Sequence, residues 1–216
     1  MGINKSYGVF GLGRYGKAVA TELVNSGAEV IAADIDMERV NAAIQEIPFC
    51  KCADVTDPEV IKQLGIADID VVIIAMASNF EAGVMATMLC KQAGVKTVIA
   101  KCADDMHKEI LSRVGADRVV SPETESGIRL AKNLVSSGFV DIMELSKGVS
   151  LVELEIKPEW VGKSLIDLNL RKKYAINVVA IKNGVSISCT IDPEKPLEEN
   201  TSLVIIGDND KIAKMR

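Results

Sequence analysis

The decapeptide Tyr7-Gly8-Val9-Phe10-Gly11-Leu12-Gly13-Arg14-Tyr15-Gly16 runs from a short apolar stretch straight into glycines with the spacing GxGxxG. That spacing has meaning when a strand precedes it and a helix follows. Gly11 permits a tight turn, Gly13 lets a diphosphate approach the backbone, Gly16 lets helix and sheet pack closely, and the helix N-terminus favours the anion. The alternative is that these glycines only permit turns and packing. What weighs against it is Asp34, which follows the next apolar stretch 18 residues beyond Gly16. A carboxylate there can accept hydrogen bonds from both hydroxyls of an adenosine ribose. It would also repel a 2′-phosphate, so the pair points to an adenine nucleotide other than NADP.

Working outward, short apolar runs alternate with amphipathic stretches over the first 120 residues. Strands are expected at Tyr7–Phe10, Glu29–Ala33, Phe49–Ala53, Val71–Ala75, Thr97–Lys101 and Arg118–Ser121, with helices between them. Gly27 and Gly94 mark helix ends, and Asp57-Pro58 and Ser121-Pro122 mark helix starts. The expected fold class is α/β, a Rossmann-like doubly wound parallel sheet with right-handed crossovers. Composition agrees: 48% of residues are hydrophobic but only 4% aromatic, which suits buried parallel strands more than an aromatic-rich sandwich. A helical pattern from Pro122 is broken at Ser136-Ser137-Gly138, after which the rhythm becomes one of alternation, as in Leu151, Glu153 and Glu155 against Val152, Leu154 and Ile156. The domains are therefore expected at 1–138 and 139–216, the second a smaller α+β module. Its expected elements are a helix at Ser164–Leu168 and strands Val178–Ile181, Val185–Cys189 and Leu203–Ile206, the first two joined by an Asn183-Gly184 turn.

A net charge of −5 without a basic stripe argues against nucleic-acid binding. The absence of a long uncharged apolar segment or leader implies a chain neither membrane-spanning nor exported. Five cysteines without CxxC spacing read as reduced thiols of a cytoplasmic protein. Met1-Gly2-Ile3-Asn4-Lys5-Ser6 fits a loose myristoylation pattern, but a strand starting at Tyr7 would hold that tail against the domain. Catalytic constellations fail one after another. No tyrosine is followed four residues later by lysine, no Gly-x-Ser-x-Gly elbow exists, and Lys157 stands where a Walker loop before Gly162-Lys163-Ser164 needs its first glycine. The lone histidine, His107, reads as a surface residue in a helix.

Several residues carry two readings. Arg14 in the glycine loop reaches phosphates or is simply solvated. Asp36 touches the ribose or caps the following helix. Asp54 lies beside the adenine edge or caps the turn Asp54-Val55-Thr56.

The combination of Gly11-Leu12-Gly13-Arg14-Tyr15-Gly16, Asp34, Ala53-Asp54-Val55-Thr56, Lys101, Gly115-Ala116-Asp117-Arg118-Val119-Val120-Ser121-Pro122-Glu123 and Leu165-Ile166-Asp167-Leu168-Asn169-Leu170-Arg171 resembles the KtrA/TrkA-type regulatory subunits of bacterial potassium-uptake systems, which carry regulator-of-conductance (RCK) domains. The likeness spans nearly the whole chain. It implies a non-enzymatic gating ring at the inner face of the cell membrane, built from homodimers into an octamer and docked on a membrane potassium-translocating subunit. The ligands it implies are ATP and ADP, or NAD(H). Arg14 then resembles the arginine that meets terminal phosphates, Lys101 a phosphate-side lysine, and Glu123 an acidic residue near the dimer interface where magnesium or calcium sits with ATP. For Glu123 helix capping after Pro122 stays open. The C-terminal module resembles domains that bind cyclic di-AMP between two protomers, with Leu165, Ile166, Arg171 and Asn177 as candidate contacts. The plain alternative there is that the leucines and Ile166 are core and Arg171 is solvated. The rival reading for the whole chain is a small NAD-dependent oxidoreductase.

Overall fold

In the computed structural model the described residues are 5–135 and 139–215. The tail pattern at Met1–Asn4 and the helix break at 136–138 lie outside them. The first unit, Met1–Glu123, contains β1 (Ser6–Phe10), α1 (Arg14–Asn25), β2 (Glu29–Asp34), α2 (Met37–Ala43), β3 (Cys50–Cys52), α3 (Pro58–Gln63), β4 (Val71–Ile74), α4 (Phe80–Gln92), β5 (Thr97–Lys101), α5 (Asp105–Val114) and β6 (Arg118–Val120). Its strands pair in parallel in the order β3-β2-β1-β4-β5-β6. The chain winds from β1 to one edge, returns to pair β4 beside β1, and winds to the other edge. A crevice therefore opens beyond the carboxyl ends of β1 and β4, where doubly wound sheets bind ligands.

The two-residue period of a strand sends neighbouring side chains into different layers. Phe10, Val72, Ile74 and Val98 pack in one buried cluster with Leu111 and Leu89 of the helices. Val9, Val30, Val71 and Ile73 pack in the other, with Ala20, Val40 and Ile47. Burying each large aliphatic side chain contributes roughly 1.5–3 kcal/mol, which is what holds the helices on the sheet. Helix starts follow local chemistry: the Asp57, Asn79 and Asp104 side chains accept from the backbone N–H groups of Glu59, Ala82 and His107. On α4, burial against its own sheet accounts for Gly83, Ala86 and Leu89, while Met85 faces outward. His107 departs from its expected surface position. Its ring stacks on Phe80 with centroids 3.8 Å apart, because the first turn of α5 lies beside that of α4.

Helix α6 (Pro122–Val135) begins in the first unit and continues into the second, Thr124–Arg216. Packing thus divides the chain at Glu123/Thr124. The second unit adds β7 (Phe139–Ser146), β8 (Val149–Glu155), α7 (Leu165–Leu168), α8 (Leu170–Tyr174), β9 (Asn177–Asn183), β10 (Ser186–Ser188), β11 (Thr201–Asp208) and α9 (Asn209–Ile212). Its strands form an antiparallel sheet in the order β10-β9-β11-β8-β7. Strand β7 is absent from the expected elements. Asp141 and Glu144 interrupt its apolar pattern, and only pairing with β8 identifies it. Val152, Leu154, Leu203, Ile205 and Trp160 form the core of this unit. The Ser164 side chain accepts from Asp167 N–H at 3.1 Å, and the Asp167 carboxylate accepts from Ser164 N–H at 2.9 Å. This reciprocal cap starts α7 where the sequence places it.

All five cysteines are free: Cys50, Cys90 and Cys102 are buried, whereas Cys52 and Cys189 are exposed. Burial pushes the Cys90 thiol up to about 12. Among the described residues no helix is long and apolar enough to cross a membrane.

Candidate nucleotide-binding site

Each glycine of the loop meets a different steric demand. Gly11 has φ +93°, and its N–H donates to Ala33 O at 2.8 Å, turning the chain sharply off the end of β1. A Cβ there would lie 2.7 Å from Met76 Cγ. At Gly13 an added Cβ would meet no atom within 4 Å, so its backbone faces open space. At Gly16 a Cβ would fall 1.8 Å from the Gly11 carbonyl oxygen, so α1 and the loop touch backbone to backbone. Gly13 caps α1 with no side-chain hydrogen bond, which leaves N–H groups of the first turn available to an anion.

A cleft of about 730 Å³ opens in front of this loop. One end of it is acidic. Asp34, at the end of β2 and 5% exposed, accepts from Leu12 N–H at 2.6 Å through Oδ2 and from Asp36 N–H at 2.9 Å through Oδ1. A carboxylate offers about four lone-pair sites, so the two backbone donors fix its orientation and leave it further acceptor capacity, toward which Arg39 Nη1 also approaches at 3.5 Å. Ile35, 70% exposed, and Ala53, Asp54 and Val55 line the same end. Thr56 donates to Asp54 through both its hydroxyl and its N–H, which holds the Asp54 carboxyl below the usual carboxylate range. Asp54 thus lines the cleft and caps its turn at once.

The other end is basic. Arg14, Tyr15, Lys101 and Glu123 line it. The Lys101 side chain is 13% exposed; its ammonium donates to Glu123 Oε1 at 2.5 Å and lies 5.5 Å from the centroid of the Tyr15 ring. That hydrogen bond, followed by the backbone and by the charges of Lys101 and Arg14, holds the Glu123 carboxyl below its ordinary range. Among the described residues no three His, Cys, Asp or Glu side chains are grouped to hold a metal ion. Glu123, already engaged by Lys101, does not by itself fit a divalent-cation site, since magnesium and calcium need six or more oxygens.

The family models supply the decisive comparison: the TrkA-N domain matches residues 7–122 and the TrkA-C domain residues 149–216. The chain belongs to the TrkA-N/TrkA-C family. One relative is the Ktr system potassium uptake protein C of Bacillus subtilis (strain 168), 37% identical over 95% of this chain and 93% of its own length. Among solved structures, the GsuK channel superposes with a TM-score of 0.72 at 17% identity, covering 98% of this chain and 38% of the channel chain. The GsuK channel bound to NAD gives a TM-score of 0.55 at 22% identity, covering 98% of this chain and 38% of that chain. This chain therefore spans well under half of the channel, and the likeness is one of fold.

Gly11, Gly13, Arg14, Tyr15, Asp34, Ala53, Asp54 and Lys101 of the TrkA-N domain, and Glu123 one residue beyond its matched range, come together at the cleft. Gly16 stands behind the loop as its packing contact. Asp36 does not line the cleft. Its carboxylate accepts from Glu38 N–H at 2.9 Å and pairs with Arg39 Nε at 3.3 Å, so it caps α2. Three contributions escape the sequence reading. Leu12 orients Asp34 through its N–H, Arg39 Nη1 approaches Asp34 Oδ2 at 3.5 Å, and Met76–Asn79 after β4 form the far wall. The last could have been found from topology, because the β4–α4 loop faces the glycine loop wherever β1 and β4 are neighbours. In the TrkA-C domain, Leu165 packs on the core, whereas Ile166 is 57% exposed and Arg171 and Asn177 are exposed. None of these four lines the small cleft between β9, β10 and the 190–198 segment.

Proposed function

We propose that this chain is a nucleotide-responsive, non-enzymatic gating subunit that regulates a membrane potassium-translocating partner from the cytoplasmic side. What carries the reading is the polarity of one cleft, a fixed carboxylate at one end and two cations at the other, in a chain that aligns nearly end to end with a potassium uptake protein. Asp34 binds the ribose, the Gly11–Gly16 loop and the start of α1 receive the diphosphate, and Ile35, Ala53 and Asp54 flank the adenine. Arg14 and Lys101 meet the terminal phosphate of ATP or ADP, or the second nucleotide half of NAD(H). Magnesium or calcium enters only where phosphate oxygens supply most of its shell, with Glu123 as one protein ligand. A ligand shifts such an assembly only through unequal affinity for its states, and a terminal phosphate supplies that inequality. The assembly is a homodimer built up to an octameric ring, so a monomeric mass by sedimentation at micromolar concentration would contradict it.

The test is calorimetric titration with ATP, ADP and NADH, alongside potassium flux through vesicles holding the membrane partner. Arg14→Ala is expected to shrink the preference between ATP and ADP about fivefold, as for loss of one charge-assisted hydrogen bond. Equal losses for adenosine and ATP would remove Arg14 from the phosphate end. Hydride transfer from NADH by the purified protein would revive the oxidoreductase reading.

A second ligand, cyclic di-AMP, is assigned to the TrkA-C domain across a two-fold axis, with Ile166 and Leu165 against adenine, Arg171 on phosphate and Asn177 on the base edge. The exposure of Ile166, Arg171 and Asn177 supports this. The expected result is one cyclic di-AMP per dimer, abolished by Arg171→Ala with ATP binding intact. No heat signal at high micromolar ligand would eliminate the site.

A further inference from the structure

At the acidic end of the cleft one guanidinium serves two carboxylates. Arg39, on α2 and among the residues that line the cleft, places Nη1 3.5 Å from Asp34 Oδ2 and Nε 3.3 Å from Asp36 Oδ2. Among the described residues no other cation is paired with either acid. The two acids differ in what they need. Asp36 is 41% exposed and keeps much of its water, whereas the Asp34 side chain is 4% exposed. Because Asp36 N–H donates to Asp34 Oδ1 at 2.9 Å, two like charges also stand side by side, an arrangement that a shared cation relieves. Backbone donors already aim Asp34. What they do not supply is a full opposite charge.

We infer that Arg39 is a positioning residue for nucleotide recognition: it acts through Asp34, supplying the positive charge that lets this carboxylate be covered by a ribose and still accept hydrogen bonds from the sugar hydroxyls. The inference rests on the nucleotide reading given above. A ligand seated on Asp34 removes the water that still reaches the acid, and a carboxylate stripped of water is costly unless an opposite charge and hydrogen bonds replace it. Arg39 meets the first need and the hydroxyls meet the second. At 3.5 Å Nη1 acts as an ion-pair partner more than as a hydrogen-bond donor, so it adds charge without closing the acceptor positions. Two other roles predict differently. A guanidinium lying flat on the adenine, or one that only fastens α2 to the end of β2, would affect every adenine ligand, with or without ribose hydroxyls.

Calorimetry of the full chain with ATP and with 2′,3′-dideoxy-ATP, which lacks both ribose hydroxyls, separates these roles. Arg39→Ala and Arg39→Gln both keep a good helix former on α2. Each should weaken ATP about fivefold and leave the dideoxy analogue unchanged. Adenosine and ADP should lose the same factor as ATP, in contrast to the phosphate-dependent response expected of Arg14→Ala. Arg39→Lys should recover most of the loss, because the charge matters here and the planar fork does not. In an Asp34→Asn background Arg39→Ala should cost nothing further, since the charge it compensates is gone. Unchanged ATP affinity in both Arg39→Ala and Arg39→Gln would overturn the inference, as would an equal loss for the dideoxy analogue, a lysine variant as weak as alanine, or a loss that persists without the Asp34 charge. If the unaltered chain binds neither nucleotide, or binds both equally, the ribose reading of Asp34 falls and takes this inference with it. Binding by the unaltered chain that depends on the hydroxyls but ignores Arg39 overturns the inference alone.

Discussion

Gly16→Ala is expected to destabilise the protein by about 2 kcal/mol net and to abolish nucleotide binding, whereas Gly13→Ala abolishes binding in a chain that stays folded. Two effects oppose each other at Gly16. Alanine stabilises a helical position over glycine by up to about 1 kcal/mol. Against this, its Cβ would sit 1.8 Å from the Gly11 carbonyl oxygen, a backbone atom that cannot swing aside as a side chain can. Helix α1 must then retreat from β1 by roughly 1 Å, and interiors packed to crystal density resist such shifts at about 1–3 kcal/mol or more. The clash wins. Thermal melts by circular dichroism should show a fall of roughly 5–10 °C for Gly16→Ala. At Gly13 the backbone is extended with φ −62° and an added methyl meets nothing, so stability holds while the methyl occupies the space proposed for a diphosphate. Equal melting temperatures for Gly16→Ala and the unaltered protein would show that loop and helix are not in contact as described.

The second large effect is at Asp34. Asp34→Ala should weaken ATP, ADP and NADH alike, by about 1.5–3 kcal/mol or roughly 10- to 150-fold, because in the proposed binding mode the hydrogen bonds it removes are those to the ribose common to all three. Folding is affected too, since the buried Leu12 N–H loses its acceptor at 2.6 Å, a cost of about 1–3 kcal/mol for an orphaned donor. Asp34→Asn separates the two. Its amide oxygen can keep the Leu12 bond, but it brings no charge and replaces one acceptor with a donor, so affinity should fall with stability largely retained. Unchanged ATP affinity in a folded Asp34 variant would exclude this carboxylate from the site.

The sheet and the acidic end of the cleft were legible because both are written in contiguous sequence. The strands β2, β4 and β5 carry unbroken apolar runs at Val30–Ala33, Val71–Ile74 and Val98–Ala100, and the glycine loop fixes which strand comes first. Residues set by tertiary approach were not. Arg39 reaches Asp34 only because α2 folds back one turn beyond the strand, and Met76–Asn79 become a wall only when β4 pairs beside β1. Asp36 carried two readings since a residue just past a strand can face ligand or helix, and the first N–H groups of α2 claim it. In the second unit, β7 went unseen because an edge strand with charged residues has no apolar signature of its own, whereas Val152 and Leu154 of β8 alternate cleanly into the core.

The distribution of thiols gives the molecule a ready-made pair of spectroscopic handles. Maleimide chemistry needs accessible thiolate. Cys90 is buried with its thiol pushed up to about 12, and Cys50 and Cys102 are buried as well, which leaves Cys52 in the first unit and Cys189 in the second as the reactive positions. Cys52 lies in register with Asp34 across the β2–β3 ladder, so a dye or spin label there sits beside the acidic end of the cleft. Its counterpart on Cys189 marks the second unit, so each unit can be followed by a label of its own during nucleotide addition, with no cysteine introduced or removed.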